Sequence, residues 1–210
     1  MKTQKKLWSA LAALCVATGT VAQPAYNYSK LQKEQLGRGV VAIRENPSDV
    51  VVSWRYLSSD PINTSFNVYR NGEKIAEVPH STGTFYRDTY SGNEKAVYTV
   101  KPVINGVETG KLNGNYTLPA NAPSGYIDIP LDRPAEGVTP SGQKYTYSPN
   151  DASIGDVDGD GEYEIILKWD PSNAHDNAHD GYTGNVYFDC YRLTGEKLWR
   201  IDLGLSLIHI

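Results

Sequence analysis

The sequence predicts an all-β protein, and three observations carry that prediction. Val, Tyr, Thr and Gly are abundant, with 15 tyrosines, and long apolar stripes at helical spacing are lacking. Two Asn-Gly pairs, Asn71-Gly72 and Asn105-Gly106, each sit between alternating apolar runs, the strongest short-range hairpin signal. A crowd of carboxylates from Asp156 to Glu164 opens onto "YEIILKWD", a β-branched and aromatic run that reads as a strand. The 210 residues suffice for one or two domains, and 40% hydrophobic content is compatible with a packed core.

Residues 1–22 read as a secretory signal. Lys2, Lys5 and Lys6 form a positive start, and Leu7 to Ala17 is an apolar stretch too short to span a bilayer. Thr20-Val21-Ala22 offers the small residues that precede cleavage, here before Gln23. Leu14 is too bulky for a lipid-attachment signal at Cys15, so export without an anchor is expected, to the periplasm or the medium. No other stretch approaches the ~20 apolar residues of a membrane-spanning helix, so no membrane insertion is expected after cleavage. Losing three lysines takes the net charge from −4 to about −7, an acidic balance that argues against nucleic acid as a partner. Cys190 then remains without a disulfide partner, and its alternating context "VYFDCYRL" makes it a small buried residue.

After an N-terminal segment, 23–37, residues 38–118 are expected to form a small β-sandwich. "DVVVSWRY" alternates and carries Trp54; "SFNVYRNGEKIAEV" and "AVYTVKPVINGVETG" each place two strands around an Asn-Gly turn. Trp54, Val68, Tyr69 and Tyr98 are candidates for its core and flanks; the competing role for such aromatics is a sugar-stacking platform. The order of a Trp on the second strand, then "FNVYRNG", then "YTVKPV", resembles a fibronectin type III domain, which bears on fold and hardly at all on function. "LPANAPSGY" marks a boundary, with a linker at 119–125. A second turn-rich segment, "LDRPAEGVTPSG", follows, then "QKYTYSPNDA", the acidic loop, and strands in "EYEIILKWD", "GNVYFDCYRL" and "KLWRIDLG".

The acidic loop asks for a cation. Asp156, Asp158 and Asp160 take positions one, three and five of a D-x-D-x-D-G pattern, and Gly161 permits the sharp turn that brings them to one centre. Glu162 would add its backbone carbonyl at position seven and Glu164 its carboxylate at position nine. Calcium, which takes six to eight oxygens in flexible geometry, suits such a set. Position twelve is Leu167 where a helix-loop-helix calcium site needs a bidentate glutamate, and a strand leaves the loop, as in β-propeller blades with aspartate-rich loops. The competing assignment is a solvated acidic turn. Downstream, Asn-Ala-His-Asp occurs at 173–176 and again at 177–180. His175 and His179 have the spacing of zinc ligands on a helix, but Pro171, Ser172 and Gly181 make the segment a loop. Asp176, Asn177 and Asp180 are further candidate calcium oxygens, beside the reading of a plain polar loop.

"SPNDASIGDVDGDGEYEIILKWDPSN", then "DGYTG", then "GEKLWRIDLG", closely resemble the opening of the catalytic domain of family 11 rhamnogalacturonan lyases, and the preceding sandwich and leader match that family's layout. The resemblance implies a secreted bacterial enzyme that cleaves the rhamnogalacturonan I backbone of pectin by β-elimination at galacturonosyl C5 and C4. It implies an eight-bladed, calcium-binding β-propeller beginning within 126–204, with the pectic polysaccharide as its partner. Asn150 and Asp170 match the positions that help hold a substrate-associated calcium; the structural alternative is that Asn150 starts a turn after Pro149 and Asp170 caps the strand before Pro171. About 80 residues after Gly125 make one or two blades of ~40–45 residues each. The catalytic base is therefore expected in blades that follow, and the chain alone is expected to be inactive. The last six residues, "LSLIHI" (205–210), can be encoded by CTG TCT CTT ATA CAC ATC, a transposon-end adapter sequence, and are expected to be an artefact of the gene record. The alternative from another class is a non-catalytic, calcium-dependent carbohydrate-binding or adhesion protein, which needs no further blades.

Overall fold

A computed structural model describes residues 34–110, 113–176 and 178–204. The expected leader, the tail at 205–210 and Asn177 lie outside the described residues. The structure is all-β, with β1 (Val41–Asn46), β2 (Asp49–Ser53), β3 (Ser65–Arg70), β4 (Glu73–Val78), β5 (Phe85–Thr89), β6 (Ala96–Ile104), β7 (Val107–Glu108), β8 (Gly114–Leu118), β9 (Gly137–Val138), β10 (Lys144–Tyr145), β11 (Tyr147–Gly155), β12 (Glu164–Pro171), β13 (Tyr187–Tyr191) and β14 (Lys197–Asp202). Among the described residues no helix is long and apolar enough to cross a membrane.

The first eight strands make two sheets. One has the order β1-β2-β5; the other runs β4-β3-β6-β7, with β8 also paired to β6. Period-two alternation drives their packing: Ala96, Tyr98 and Val100 of β6 point inward and are wholly buried, as do Val50 and Val52 of β2. Trp54, Phe66, Val68, Val78 and Leu118 complete one continuous core, with Trp54 edge-on to Phe66 at a ring separation of 5.4 Å. Trp54, Val68 and Tyr98 are thus core residues, whereas Tyr69 lies on the outer face, donating its hydroxyl to Glu108. The buried Tyr98 hydroxyl needs a partner and finds Asp88 of the opposite sheet at 2.8 Å, itself held by Arg70. Both Asn-Gly pairs sit at positive φ (Asn71 52°, Gly72 86°; Asn105 52°, Gly106 77°), the conformation that matches a two-residue turn to strand twist.

Residues 119–125 do not run free of the sandwich. Ser124 bridges to Arg44, and the Gly125 N–H donates to the Arg44 carbonyl at 2.7 Å. Beyond a two-stranded ribbon of β9 and β10, strands β11-β12-β13-β14 form a four-stranded sheet in which each strand pairs antiparallel with the next, the form of a propeller blade. Its small core is Tyr147, Leu167, Trp169 and Tyr191. Beside that core Asp189 is fully buried, receiving Trp169 Nε1 (2.8 Å), Tyr191 Oη (2.6 Å) and the Arg200 guanidinium (2.6 Å to each carboxylate oxygen). Burial alone would raise the Asp189 carboxyl; the donors from Arg200, Tyr191 and Trp169 hold it below the usual carboxylate range. Cys190 is buried and free, as its context predicts.

Candidate metal centre

The turn between β11 and β12 folds on its own aspartates. Asp156 accepts the N–H of Gly159 (2.8 Å) on one oxygen and that of Gly161 (3.1 Å) on the other. Asp158 accepts from Asp160 N (3.2 Å), and Asp160 from Glu162 N (2.9 Å). These are the local turns that short acidic side chains make with their own backbone. Gly159 and Gly161, at φ 78° and 92°, supply the left-handed steps that reverse the chain.

The result brings Asp156, Asp158 and Glu164 together, with one carboxylate oxygen of each within 4.8 Å of the other two. Glu164 is 1% exposed, and one of its oxygens accepts the Val157 N–H at 3.0 Å. Burial pushes its carboxyl above the usual range, and the charges of Asp158 and Asp160 push the same way. Three converging carboxylates, one of them buried, repel one another, and a proton, the neighbouring Arg192 guanidinium or a bound cation would each relieve that repulsion. An all-oxygen donor set fits a hard divalent cation, so this group could hold a metal ion.

Two other expected ligands stand differently. Asp160 turns one oxygen to Arg192 (2.9 Å from Nη1), whose other terminal nitrogen pairs with Asp158. The Glu162 side chain leaves the cluster for the N-terminal strap, accepting Gly39 N–H (3.3 Å) and lying 3.9 Å from Arg55 Nη1. Burial raises the Glu162 carboxyl, opposed by that N–H and by Arg55. Neither Arg192 nor Arg55 is signalled by the loop motif, because both lie far from it in sequence, Arg55 beyond the end of β2 and Arg192 just after β13. A cleft of about 540 Å³ between the sandwich and the blade reaches Asp160, Glu162 and Glu164 from the side of Ala42 and Tyr116. Asn150 and Asp170 do not line it.

A second constellation lies at the far end of β12, about 20 Å away for six residues at ~3.3 Å each. The pairing of β11 with β12 shifts between Pro149 and Ala152, and this bulge sets Asn150 against Asp170. The Asn150 amide donates to one Asp170 oxygen, while Lys168 Nζ sits 3.0 Å from the other. Both side chains are at the surface, Asn150 exposed and Asp170 25% exposed. Asp176 and Asp180 are exposed; Asp176 accepts the Ala178 N–H (2.8 Å), and neither residue joins an acidic cluster among the described residues. His175 and His179 bring their rings to 6.1 Å, edge to face, in the same loop.

Two family descriptions match the chain. Residues 126–208 match the C-terminal domain of rhamnogalacturonan lyase family 11, and residues 31–116 the beta-sheet domain of rhamnogalacturonan I lyases. The rhamnogalacturonan endolyase YesW of Bacillus subtilis (strain 168) is 44% identical over 211 residues, covering 99% of this chain and 33% of the relative. The exolyase YesX of the same organism is 47% identical over 178 residues, covering 85% of this chain and 28% of the relative. The crystal structure of YesW superposes with a TM-score of 0.70 at 49% identity, over 82% of this chain and 28% of that one. The Bacillus licheniformis rhamnogalacturonan lyase PL11 gives 0.68 at 49% identity, over 82% and 29%. The chain spans about a third of the length of the curated relatives it matches. With residues 126–208 matched to a family 11 domain, residues 31–116 to a rhamnogalacturonan I lyase domain, and identity above two-fifths along nearly all of its length, the chain belongs to rhamnogalacturonan lyase family 11.

Proposed function

We propose that this chain is part of a secreted, calcium-dependent rhamnogalacturonan lyase that cleaves the rhamnogalacturonan I backbone of pectin by β-elimination. The observation that carries this reading is the 44–47% identity to an endolyase and an exolyase acting on that polymer. The oxygen-rich constellations at the two ends of β12 support it. Asp156, Asp158 and Glu164, with Asp160 and the Glu162 carbonyl, hold a structural calcium that closes the β11–β12 turn. Asn150 and Asp170 hold the calcium associated with substrate. Bound there, the cation neutralises the galacturonate carboxylate and stabilises charge developing as the C5 proton leaves.

The chain's own contribution is positioning. The bulge at Asn150 holds its amide against Asp170, and a rotation of that amide about its terminal torsion presents an oxygen in place of the nitrogen. A neutral amide and a single carboxylate, itself 3.0 Å from Lys168 Nζ, leave a divalent cation under-neutralised, so the site attracts a uronate. The base that takes the C5 proton is assigned to no described residue. Residues 34–204 can be joined to the remaining two-thirds of the B. subtilis endolyase and assayed for unsaturated uronate on rhamnogalacturonan I. Asp170→Ala in that hybrid should lower turnover about a hundredfold at low calcium and raise the calcium needed for half-maximal rate. Unchanged rate and calcium dependence would remove Asp170 from the site. Polysaccharide binding without cleavage by the unaltered hybrid would favour the non-catalytic carbohydrate-binding reading.

A further inference from the structure

The metal loop is gripped from outside. Gly161 is the junction: its N–H donates to Asp156 at 3.1 Å, and its carbonyl accepts the Gly37 N–H at 2.6 Å and Arg55 Nη1 at 3.3 Å. The same Arg55 nitrogen reaches the Gly37 carbonyl (3.2 Å), and the guanidinium lies over the Tyr163 ring, 4.5 Å from its centre. Arg55 is itself fixed in the sandwich, its N–H donating to the carbonyl of the fully buried Arg38 at 2.7 Å. Glu34 accepts the Asp156 N–H (3.1 Å), and Glu162 accepts that of Gly39 (3.3 Å). Little room remains at this junction: a Cβ on Gly161 would fall 2.8 Å from Gly37 N, and one on Gly37 would fall 2.8 Å from a Glu162 oxygen. The strap of residues 34–39 and Arg55 thus fix the backbone on both sides of Gly161, and with it the direction from which Asp156 faces Asp158 and Glu164.

We propose that Arg55 is a positioning residue of the metal loop, through which the sandwich sets the loop's affinity for a divalent cation. The inference rests on the reading that the loop binds a cation. It separates cleanly from electrostatics, because the two predict opposite signs. A guanidinium beside an acidic cluster repels a cation, so charge alone predicts tighter binding when Arg55 is removed. Positioning predicts weaker binding, because the freed loop must be ordered at the moment of binding. By linkage, the cation must then tighten the grip of strap on loop by the same factor.

The test is calcium titration calorimetry on the full chain, with Arg55→Ala, Arg55→Lys and, as the ligand control, Asp156→Asn. Asp156→Asn should abolish or strongly weaken binding. Arg55→Ala should bind calcium about tenfold more weakly, with Arg55→Lys between it and the unaltered protein. Amide exchange gives a second readout: calcium should slow exchange at Gly37 N in the unaltered protein and not in Arg55→Ala. Should Arg55→Ala fail to fold, Gly37→Ala perturbs the same contact from the strap and should weaken calcium in the same direction. Equal or tighter calcium binding in Arg55→Ala, with Asp156→Asn still impaired, would overturn the inference and leave the cation reading standing. No calcium binding by the unaltered protein would overturn both.

Discussion

Glu164 both ends the acidic loop and starts β12, and its burial at 1% exposure sets it apart from the loop's other acids. Its partners explain what a substitution should do. Glu164→Gln keeps the acceptor for Val157 N–H and removes the charge, so calcium affinity should fall about tenfold while the apo fold survives, as calorimetry and far-UV dichroism can show together. At Glu108 the hydrogen bonds from Asn67, Tyr69 and Lys101 hold the carboxyl down to about 2. A depressed carboxyl stabilises the fold above its ordinary value of 4.5, and that stabilisation is lost as pH falls from there toward about 2. Thermal melts of the unaltered protein and Glu108→Gln should therefore differ at pH 6 and converge toward acid. The D-x-D-x-D-G spacing made Asp156 and Asp158 legible in the sequence, because the turn that gathers them is local. The diversion of Asp160 to Arg192 and of Glu162 toward Arg55 was not legible, since each depends on a side chain distant in sequence.

Strands whose pattern is local were the easiest to read. Both Asn-Gly hairpins form where expected because the turn residues alone demand positive φ. β11 is harder: Pro149, Asn150 and Asp151 break the alternation, and the bulge that admits them is set by pairing with β12. The blade's last three strands are tied through one buried carboxylate, Asp189 of β13, which receives Trp169 of β12, Tyr191 of its own strand and Arg200 of β14. Removing Asp189 takes the acceptor from the buried Trp169 and Tyr191 donors and leaves Arg200 with only Asp132, 3.8 Å away, as counter-charge. Asp189→Ala should destabilise the blade by about 3–5 kcal/mol, read from the urea midpoint, whereas Glu196→Ala on the exposed end of the same hairpin should change it little.

At the scale of the molecule, sandwich and blade are joined through the acidic loop. Residues before 38 read as a segment preceding the sandwich, and 119–125 as a linker. The structure uses 34–39 as a strap across the loop and pins 124–125 to Arg44. Neither segment has a period or a motif, so their docking is visible only in three dimensions. If the loop carries calcium, removing it with a chelator should lower the melting temperature of the whole chain, and restoring calcium should return it. Binding to the native state alone predicts about 2.7 kcal/mol of stabilisation at a hundredfold excess over the dissociation constant. The measurement that tests the central claim most directly is the absorbance of unsaturated uronate released from rhamnogalacturonan I by the hybrid carrying residues 34–204, before chelation, after chelation and after calcium is restored. A calcium-dependent lyase gives product at first, loses it on chelation and regains it when calcium returns. Product formation that continues undiminished in excess chelator would contradict calcium dependence, and no product under any condition would contradict the lyase reading itself.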